Sequence, residues 1–533
     1  MGLAQELLDK QSQLEAARAT YDSHCSEIAK LVLPRQDSFF NETITEGDRK
    51  SQHIYDSTAV LAHDKAVKIV DNIITPEGSY WNRLTVPEEN LKNNQEVNEF
   101  LDNTNDFLYR QRYRPKANFA NQNREKLASL LAFGNGVLLV EDLVGRGIRY
   151  RTSHISEHYF MENQYGIIDI DYRKYKLTAR QAVERFGDKT PEKVMRCYEK
   201  TPNEKIDFLH VVMPDESGES GFAYISYNIY CDGQELISTG GYRTFPYIIS
   251  RGATSPNEVY GRSPAMLCLP EIKMLNAMRK TDIKSRHQAV DPAFLAADAS
   301  TLGRFLNVPN AINYGTLDIN GNQLIKPFVT GARIDLSNDG IAQSREFIND
   351  TFFITLFQIL VQTPQMTATE VLERAKEKNA LLGSEVGREQ QALAQMIERE
   401  ISIYEGYGIF EDGSLLPMPK ALKDAGGIFE IEFTAPANQM MKSEEALSVE
   451  RTIQSLLPLA QIDPSVIKRI DFKEYADIIR EANGAPAKLF KSDEEMAALA
   501  QAEAQQMQLQ QMLAAAPQVA STVKDFAQAE AMR

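Results

Sequence analysis

Tyr260-Gly-Arg-Ser-Pro-Ala-Met-Leu-Cys-Leu-Pro-Glu-Ile-Lys-Met-Leu-Asn-Ala-Met-Arg279 continues through Lys280 to His287 and stops at Asp291-Pro292. Ser263 before Pro264 has the form of a helix start, a hydroxyl for an orphan amide and a ring whose φ suits the first turn. Pro270 lacks an amide hydrogen and should kink or restart that helix. From Glu271 to His287, five basic residues (Lys273, Arg279, Lys280, Lys284, Arg286) stand against two acidic ones (Glu271, Asp282), a local +3. Short strands between Pro, Asn and Gly turns fill Ala293 to Asp335, and a second long helix with an aromatic end, Phe347 to Val361, follows. Two helices bracketing a β-rich insertion predict a hairpin-like projection.

Downstream, Gln362, Thr363, Pro364, Gln365 and Met366 form a loop with no local chemistry of its own. Thr367-Ala-Thr-Glu370 is a capping box that opens a helix reaching Tyr404. Leu372, Ala375, Asn379, Leu382, Val386, Leu393 and Met396 give it one near-heptad apolar face. Gly383 and Gly387 sit in its middle, each costing about 1 kcal/mol relative to Ala, so a kink or a close helix contact is expected there. A strand at Phe429 to Phe433 leads to helical sequence from Ser443 to Ala482. Ser492 with Glu495 then starts a last helix, rich in Ala, Gln and Met. Its apolar stripe is too narrow to be stable alone, so it should pack against copies of itself or fray.

Upstream, Leu3 to Leu33 is helical by its threes and fours until Pro34, and Asp56 or Ser57 caps a second helix ending near Ile74. Trp81 to Val86 alternates like a strand, and Asn94 to Ala132 reads as a third helical region. From Val137 to Arg251 short strands prevail, with one short helix at Thr178 to Phe186. The first half is therefore α+β and the second mainly α.

A chain of 533 residues, 43% hydrophobic and 25% charged, is too long for one ordinary core. Its 58 Lys and Arg against 74 Asp and Glu give −16, which disfavours affinity for nucleic acid through a general basic surface. Cys25, Cys197, Cys231 and Cys268 lack CxxC spacing, so four free thiols in a reducing compartment are expected. Glu6, Asp9 and Lys10 deny the N-terminus the apolar run of a secretory signal. Thr351 to Thr369 is uncharged, but only Phe352 to Val361 is strongly apolar, about half the length a membrane span needs. No membrane association is expected.

His154-Ile-Ser-Glu157-His158 has the order of an inverted zinc-protease motif, which requires a helix to bring both histidines to one metal. Arg149-Tyr-Arg-Thr before it and Tyr159-Phe160 after it read as strand and turn, leaving exposed loop histidines as the default. Asp169 and Asp171 alternate on a strand and read as its solvated face. Gly134-Asn-Gly136 and Gly145-Arg-Gly147 are turn glycines, too short for a dinucleotide fingerprint. The chain has no Gly-Lys dipeptide and hence no Walker A loop. Neither a catalytic set nor a cofactor site is indicated. The bland reading of the basic run is a solvated helix face.

Tyr260 to Arg279, Ala289-Val-Asp-Pro-Ala-Phe294, Met366-Thr-Ala-Thr-Glu-Val-Leu-Glu-Arg374 and Leu381-Leu-Gly383, in this order, resemble the head-to-tail connector, or portal, proteins of short-tailed, podovirus-like bacteriophages. Trp81 to Pro87, Gly134 to Glu141, Phe433-Thr-Ala-Pro436 and Gly484 to Leu489 extend the resemblance across almost the whole chain. It implies a mixed α+β, mainly α portal fold. Its parts are a wing (1–262 and 367–440), stem helices (263–290 and 336–361), a β-rich clip (291–335), a tunnel loop (362–366), a crown (441–490) and a C-terminal barrel helix (491–533). It further implies a ring of about twelve copies at one capsid vertex, assembled in the host cytoplasm, that conducts double-stranded DNA without enzymatic activity or cofactor. The implied partners are the major capsid protein, the scaffolding protein, the terminase large subunit and tail adaptor or nozzle proteins. Net acidity suits a conduit, because every lysine–phosphate contact would have to break as DNA moves. The basic run would face the channel or the capsid collar. The alternatives are a metal-dependent hydrolase using His154, Glu157 and His158, and a tail adaptor or scaffold, which would have no reason for two helices bracketing a clip.

Overall fold

The computed structural model describes residues 2–40, 47, 50–92, 94–143, 147–218, 220–296, 305–328, 334–355 and 368–435, with isolated positions 449, 452–453, 456 and 475; at 89, 334–336 and 368–382 only the backbone is described. The chain is mixed α/β, and helix outweighs strand among these residues. It divides into two compact units. The larger takes Met1–Arg83, Asn103–Met418 and Ala435–Ala437, and the smaller takes Leu84–Asp102, Pro419–Thr434 and Asn438–Arg533.

In the larger unit, five antiparallel strands lie side by side in chain order: His158–Glu162, Ile168–Thr178, Lys205–Pro214, Tyr224–Tyr230 and Glu235–Tyr242. Side chains alternate between the two faces of a strand, and the central strand Lys205–Pro214 is apolar on both. Ile206 and Phe208 pack with Tyr175 and Tyr230 against Ala179, Ala182 and Val194, from the short helices Ala179–Phe186 and Glu192–Lys200. Leu209 and Val211 pack on the opposite face with Ala4 and Leu7 of the first helix, Leu3–Val32. Thr178 and Gln181 form the capping box that starts the Ala179–Phe186 helix.

A smaller sheet has Asn135–Leu143 at its centre, between Gly147–Ser153 and Tyr247–Arg251. Val137, Leu138, Leu139 and Val140 are all buried there. The main core joins Cys25, Ile28 and Val32 to Ala62 and Ala66 of the helix Thr58–Ile74. It continues through Phe133 to Leu269, Ile272 and Leu275 of the helix Pro264–Val290, and to Ile341 and Ile348 of the helix Ile334–Thr351. Each of the Val, Leu, Ile and Phe side chains contributes about 1.5–3 kcal/mol when fully buried. In the smaller unit, Phe100 stacks on Phe429 at 6.4 Å.

Several expectations are corrected. The region 94–132 is two helices, Gln95–Arg112 and Phe119–Phe133, joined by a turn at residues 113–118 that holds Pro115 and ends on Asn118 with a left-handed φ of 61°. Pro270 does not restart its helix, which is continuous from Pro264 to Val290. The second stem helix does not run unbroken from 336 to 361. It ends at Thr351, where Phe352 and Phe353 turn and Phe353 has φ 59°. The clip holds little strand among its described residues: Phe294–Ala296 pairs antiparallel with Ile325–Pro327, and turns carry most of the rest. The helix expected from Thr367 runs Ala368–Gly406. The loop Gln362 to Met366 and the helix from Ser492 lie outside the described residues, as does nearly all of the crown.

Candidate functional site: the helix hairpin and its anchorage

The hairpin begins with a cap that also ties it to the end of the Phe119–Phe133 helix. Ser263 Oγ accepts from the Met266 amide at 3.0 Å and donates to the Ala132 carbonyl at 2.8 Å. Three backbone segments meet beneath it with no room for side chains. A Cβ on Gly134 would lie 2.2 Å from the Gly261 oxygen, one on Gly252 would lie 2.2 Å from the Arg262 oxygen, and one on Gly261 would lie 2.6 Å from the Gly134 oxygen. Gly134, with φ 76°, is thus more than a turn glycine.

The two helices run antiparallel, since Arg286 reaches Asn338 at 2.7 Å and a Cβ on Gly340 would meet Met278 Cε at 3.1 Å. A strap at residues 53–56 touches both. Asn276 accepts from the Tyr55 amide at 2.7 Å and donates to the His53 carbonyl at 2.9 Å. Asp56, whose side chain is 3% exposed, binds Arg345 at 2.6 Å and caps Thr58 at 2.9 Å. Burial opposes the Asp56 charge, but its bonds to Thr58 and Arg345 outweigh burial and lower its pKa.

The basic run is largely answered locally. Asp282, buried on the hairpin, takes Arg279 at 2.7 Å and Arg286 at 2.9 Å. Lys273 pairs with Glu27 at 2.6 Å, and Lys280 lies 5.2 Å from the Tyr55 ring centroid. Lys284 is exposed. The local +3 is therefore a set of partnered cations in which Asp282 is the hub, with Lys280 and Lys284 the residues whose ammonium groups meet no carboxylate among the described residues.

The far end of the hairpin leaves apolar side chains in solvent. Ile312, Tyr314 and Ile319 are 73, 84 and 105% exposed, with Leu306, Val308 and Leu317 beside them in sequence. Leu267 and Met274, one heptad apart on the first helix, are also exposed. The projection thus carries unburied hydrocarbon at both its start and its far end.

The long helix Ala368–Gly406 is held by buried ion pairs invisible to local sequence reading. Arg112 meets Glu400 at 2.7 Å and Lys126 meets Glu389, every partner being at most 3% exposed. Gly387 faces open space, so no close contact there requires glycine; the helix runs without a break through Gly383 and Gly387.

The His-Ile-Ser-Glu-His segment is a corrected expectation. Residues 155–157 form one 3-10 turn and His158 starts a strand, so no helix brings the two histidines together. Neither histidine is an exposed loop residue. His154 Nε2 donates to the Gln36 carbonyl at 3.0 Å, its Nδ1 pairs with the Ser156 hydroxyl at 2.7 Å, and burial pushes its pKa down to about 4. His158 Nδ1 donates to Asp171 at 2.8 Å with both side chains fully buried, which also corrects the reading of Asp171 as solvated. Glu157 is taken by Arg173 at 2.9 Å. Arg18 clamps the turn through the carbonyls of Ile155, Ser156 and His158. The motif is architecture. No group of three or more potential metal ligands occurs among the described residues, and no helix there is long and apolar enough to cross a membrane.

A helix hairpin anchored in a two-sheet body, with partnered charges along it and unburied hydrocarbon at its tip, defines a component of a larger assembly. The family can be stated from comparison: residues 4–490 match the bacteriophage head to tail connecting proteins, and the chain belongs to that family. The portal protein of Salmonella phage epsilon15 is 26% identical over 544 residues, covering 98% of this chain and 95% of that protein. The probable portal protein of Bordetella phage BPP-1 is 25% identical over 531 residues, covering 97% and 94%. Among solved structures, a chain from the neck of an empty gene transfer agent particle matches at a TM-score of 0.35 and 12% identity, over 78% of this chain and 93% of that one. The protein is a portal-class connector of the phage virion, placed where head joins tail.

Proposed function

We propose that about twelve copies close a ring at one capsid vertex, with the helix hairpin as stem, 291–335 as clip, and 1–262 with 367–440 as wing. Double-stranded DNA passes through the centre during packaging, is retained there, and leaves by the same route at ejection. The ring meets the major capsid and scaffolding proteins in the head. It is the docking platform for the terminase large subunit and then for tail adaptor or nozzle proteins. Gln362, Thr363, Pro364, Gln365 and Met366 act as the tunnel loop, 441–490 as the crown and 491–533 as a barrel helix. Gly383 and Gly387 supply bending in the long wing helix.

The observation that carries the ring is the unburied hydrocarbon on the hairpin, at Leu267, Met274, Ile312, Tyr314 and Ile319. Copies side by side would cover it, and a net −16 on each copy keeps the shared channel from gripping DNA. Negative-stain images of the purified protein should show rings with a central hole; a monomer at high concentration in every salt condition overturns the proposal. Of the basic run, Lys280 and Lys284 are the residues left to face the channel or collar. Replacing both with Gln leaves Asp282 its two arginines and should impair genome retention or vertex incorporation. Unchanged phage yield would remove that role.

A further inference from the structure

We infer that Asn320 is a modification site, where the side-chain amide is lost spontaneously through succinimide formation with the Gly321 nitrogen, at a rate that Asp318 holds down. Asn-Gly pairs occur in the chain at 135–136, 320–321 and 483–484. The last lies outside the described residues, and the other two stand in opposite environments.

Asn320 and Gly321 are exposed at the end of a short hairpin, closed by the Asp318 amide donating to the Asn322 carbonyl at 3.0 Å and the Leu324 amide donating to the Thr316 carbonyl at 2.9 Å. The Asn320 side chain makes no hydrogen bond to a described residue. Gly321 has φ 83° and open space where a Cβ would lie, so no side chain shields its nitrogen. That nitrogen attacks Asn320 Cγ and gives up its proton, the Cγ–Nδ2 bond breaks, and ammonia leaves. Water then opens the five-membered ring at either carbonyl, leaving aspartate, or isoaspartate with the backbone running through the side chain. Water is consumed, ammonium is released, and the chain gains one negative charge.

Asn135 is denied this chemistry. It is fully buried, its Nδ2 donates to the Tyr21 hydroxyl at 2.7 Å, its Oδ1 accepts from the Gly261 amide at 3.1 Å, and Gly136 lies in a strand opposite Ser250. Asp318 restrains the exposed pair more weakly. Its Oδ1 accepts from the backbone amides of Asn320 and Asn322, both at 2.8 Å, and its carbonyl accepts from the Gly321 amide at 3.1 Å. Attack requires the Gly321 N–H to leave that carbonyl and turn toward Cγ. Leu317 and Ile319 are exposed, so no core backs the hairpin, and such a unit opens readily. The clasp therefore slows the reaction without stopping it. Each conversion sets a carboxylate beside Ile319 and disfavours burial of the apolar tip against a partner. That consequence rests on reading 291–335 as a docking clip; the chemistry does not.

The test is peptide mapping by mass spectrometry of the purified full-length protein incubated at neutral and at mildly alkaline pH, reading the mass gained as NH2 becomes OH. The Asn320 peptide should convert faster as pH rises and at least about tenfold faster than the Asn135 peptide, and the difference should vanish in urea, where neither pair is protected. Asp318→Ala removes the side-chain half of the clasp and should speed conversion at least about threefold. Asn320→Gln should remove the matching acidic species from ion-exchange profiles. An intact Asn320 where the urea-unfolded chain converts, equal rates at the two pairs in the folded protein, or an Asp318→Ala rate no higher than that of the unaltered protein would each overturn the proposal.

Discussion

Glu400→Ala strips one half of an ion pair whose two side chains are each 1% exposed. Arg112 donates Nε and Nη2 to Glu400 at 3.0 and 2.7 Å and Nη1 to Asn82 at 3.0 Å, and lies 4.5 Å from the Trp81 ring centroid. The Tyr150 hydroxyl donates to the same carboxylate at 2.5 Å. Burial opposes the Arg112 charge, but Glu400 outweighs it and the guanidinium pKa is raised. Without Glu400 that charge stays, because arginine cannot shed its proton, and it has only Asn82 and an aromatic face for company. Breaking a buried pair from one side costs about 3–5 kcal/mol, and the stranded Tyr150 hydroxyl adds about 1–3 kcal/mol. Against a typical total of about 5–15 kcal/mol, this is about a quarter or more of the stability. Arg112→Met with Glu400→Leu removes both charges and should recover most of the loss. Urea unfolding at one fixed protein concentration measures all three variants, and the cycle should give a coupling of at least about 2 kcal/mol. A cost below about 1 kcal/mol for Glu400→Ala, or a double variant as unstable as the two singles summed, refutes the account.

Glycine substitutions should split by location: Gly252→Ala drives a Cβ into the Arg262 carbonyl and should cost at least about 3 kcal/mol or prevent folding, whereas Gly387→Ala meets nothing and should stabilise by up to about 1 kcal/mol in thermal melts. If Gly387→Ala instead abolishes rings while the chain stays folded, the bend proposed there is needed for assembly. Acid should destabilise the protein, because burial pushes His154 down to about 4 and His210 to about 3, both below the ordinary histidine value near 6.5. The unfolded chain binds those protons first, so stability is complete above about pH 6.5 and falls as pH drops toward 4 and then 3; melting temperatures from pH 4 to 8 should show it, and His154→Gln should flatten the slope. Asp56→Asn releases Arg345 from the strap and should cost about 1–2 kcal/mol while raising amide exchange in Ile334–Thr351; unchanged exchange would show that the strap does not restrain that helix.

Legibility followed the range of the interaction. Ser263 with Pro264, the Thr178 and Gln181 box, and the apolar run in Lys205–Pro214 act within a few residues, and each could be read directly. The break at Phe352 could not, since Phe, Phe and Ile continue an apolar helical run and only the surrounding packing holds Phe353 in a left-handed turn. The histidines misled for the same reason: the partners of the buried His154 and His158 are Gln36 and Asp171, 118 and 13 positions away in the chain.

The sequence by itself determined the order of helices and strands, the helix pair with its insertion, the family, and the net charge that suits a passage for DNA. The family follows from the ordered motifs that resemble those of connector proteins, and the rest from local periodicity, caps and composition, which need no knowledge of what lies across the core. Only the tertiary structure decided which charges are free. Asp282 gathers two arginines of the run, Glu27 takes Lys273, and Glu389 and Glu400 bind Lys126 and Arg112 from helices more than 250 residues away. A charge acts through its distance to other charges and its exclusion from water, and neither is a property of position along the chain.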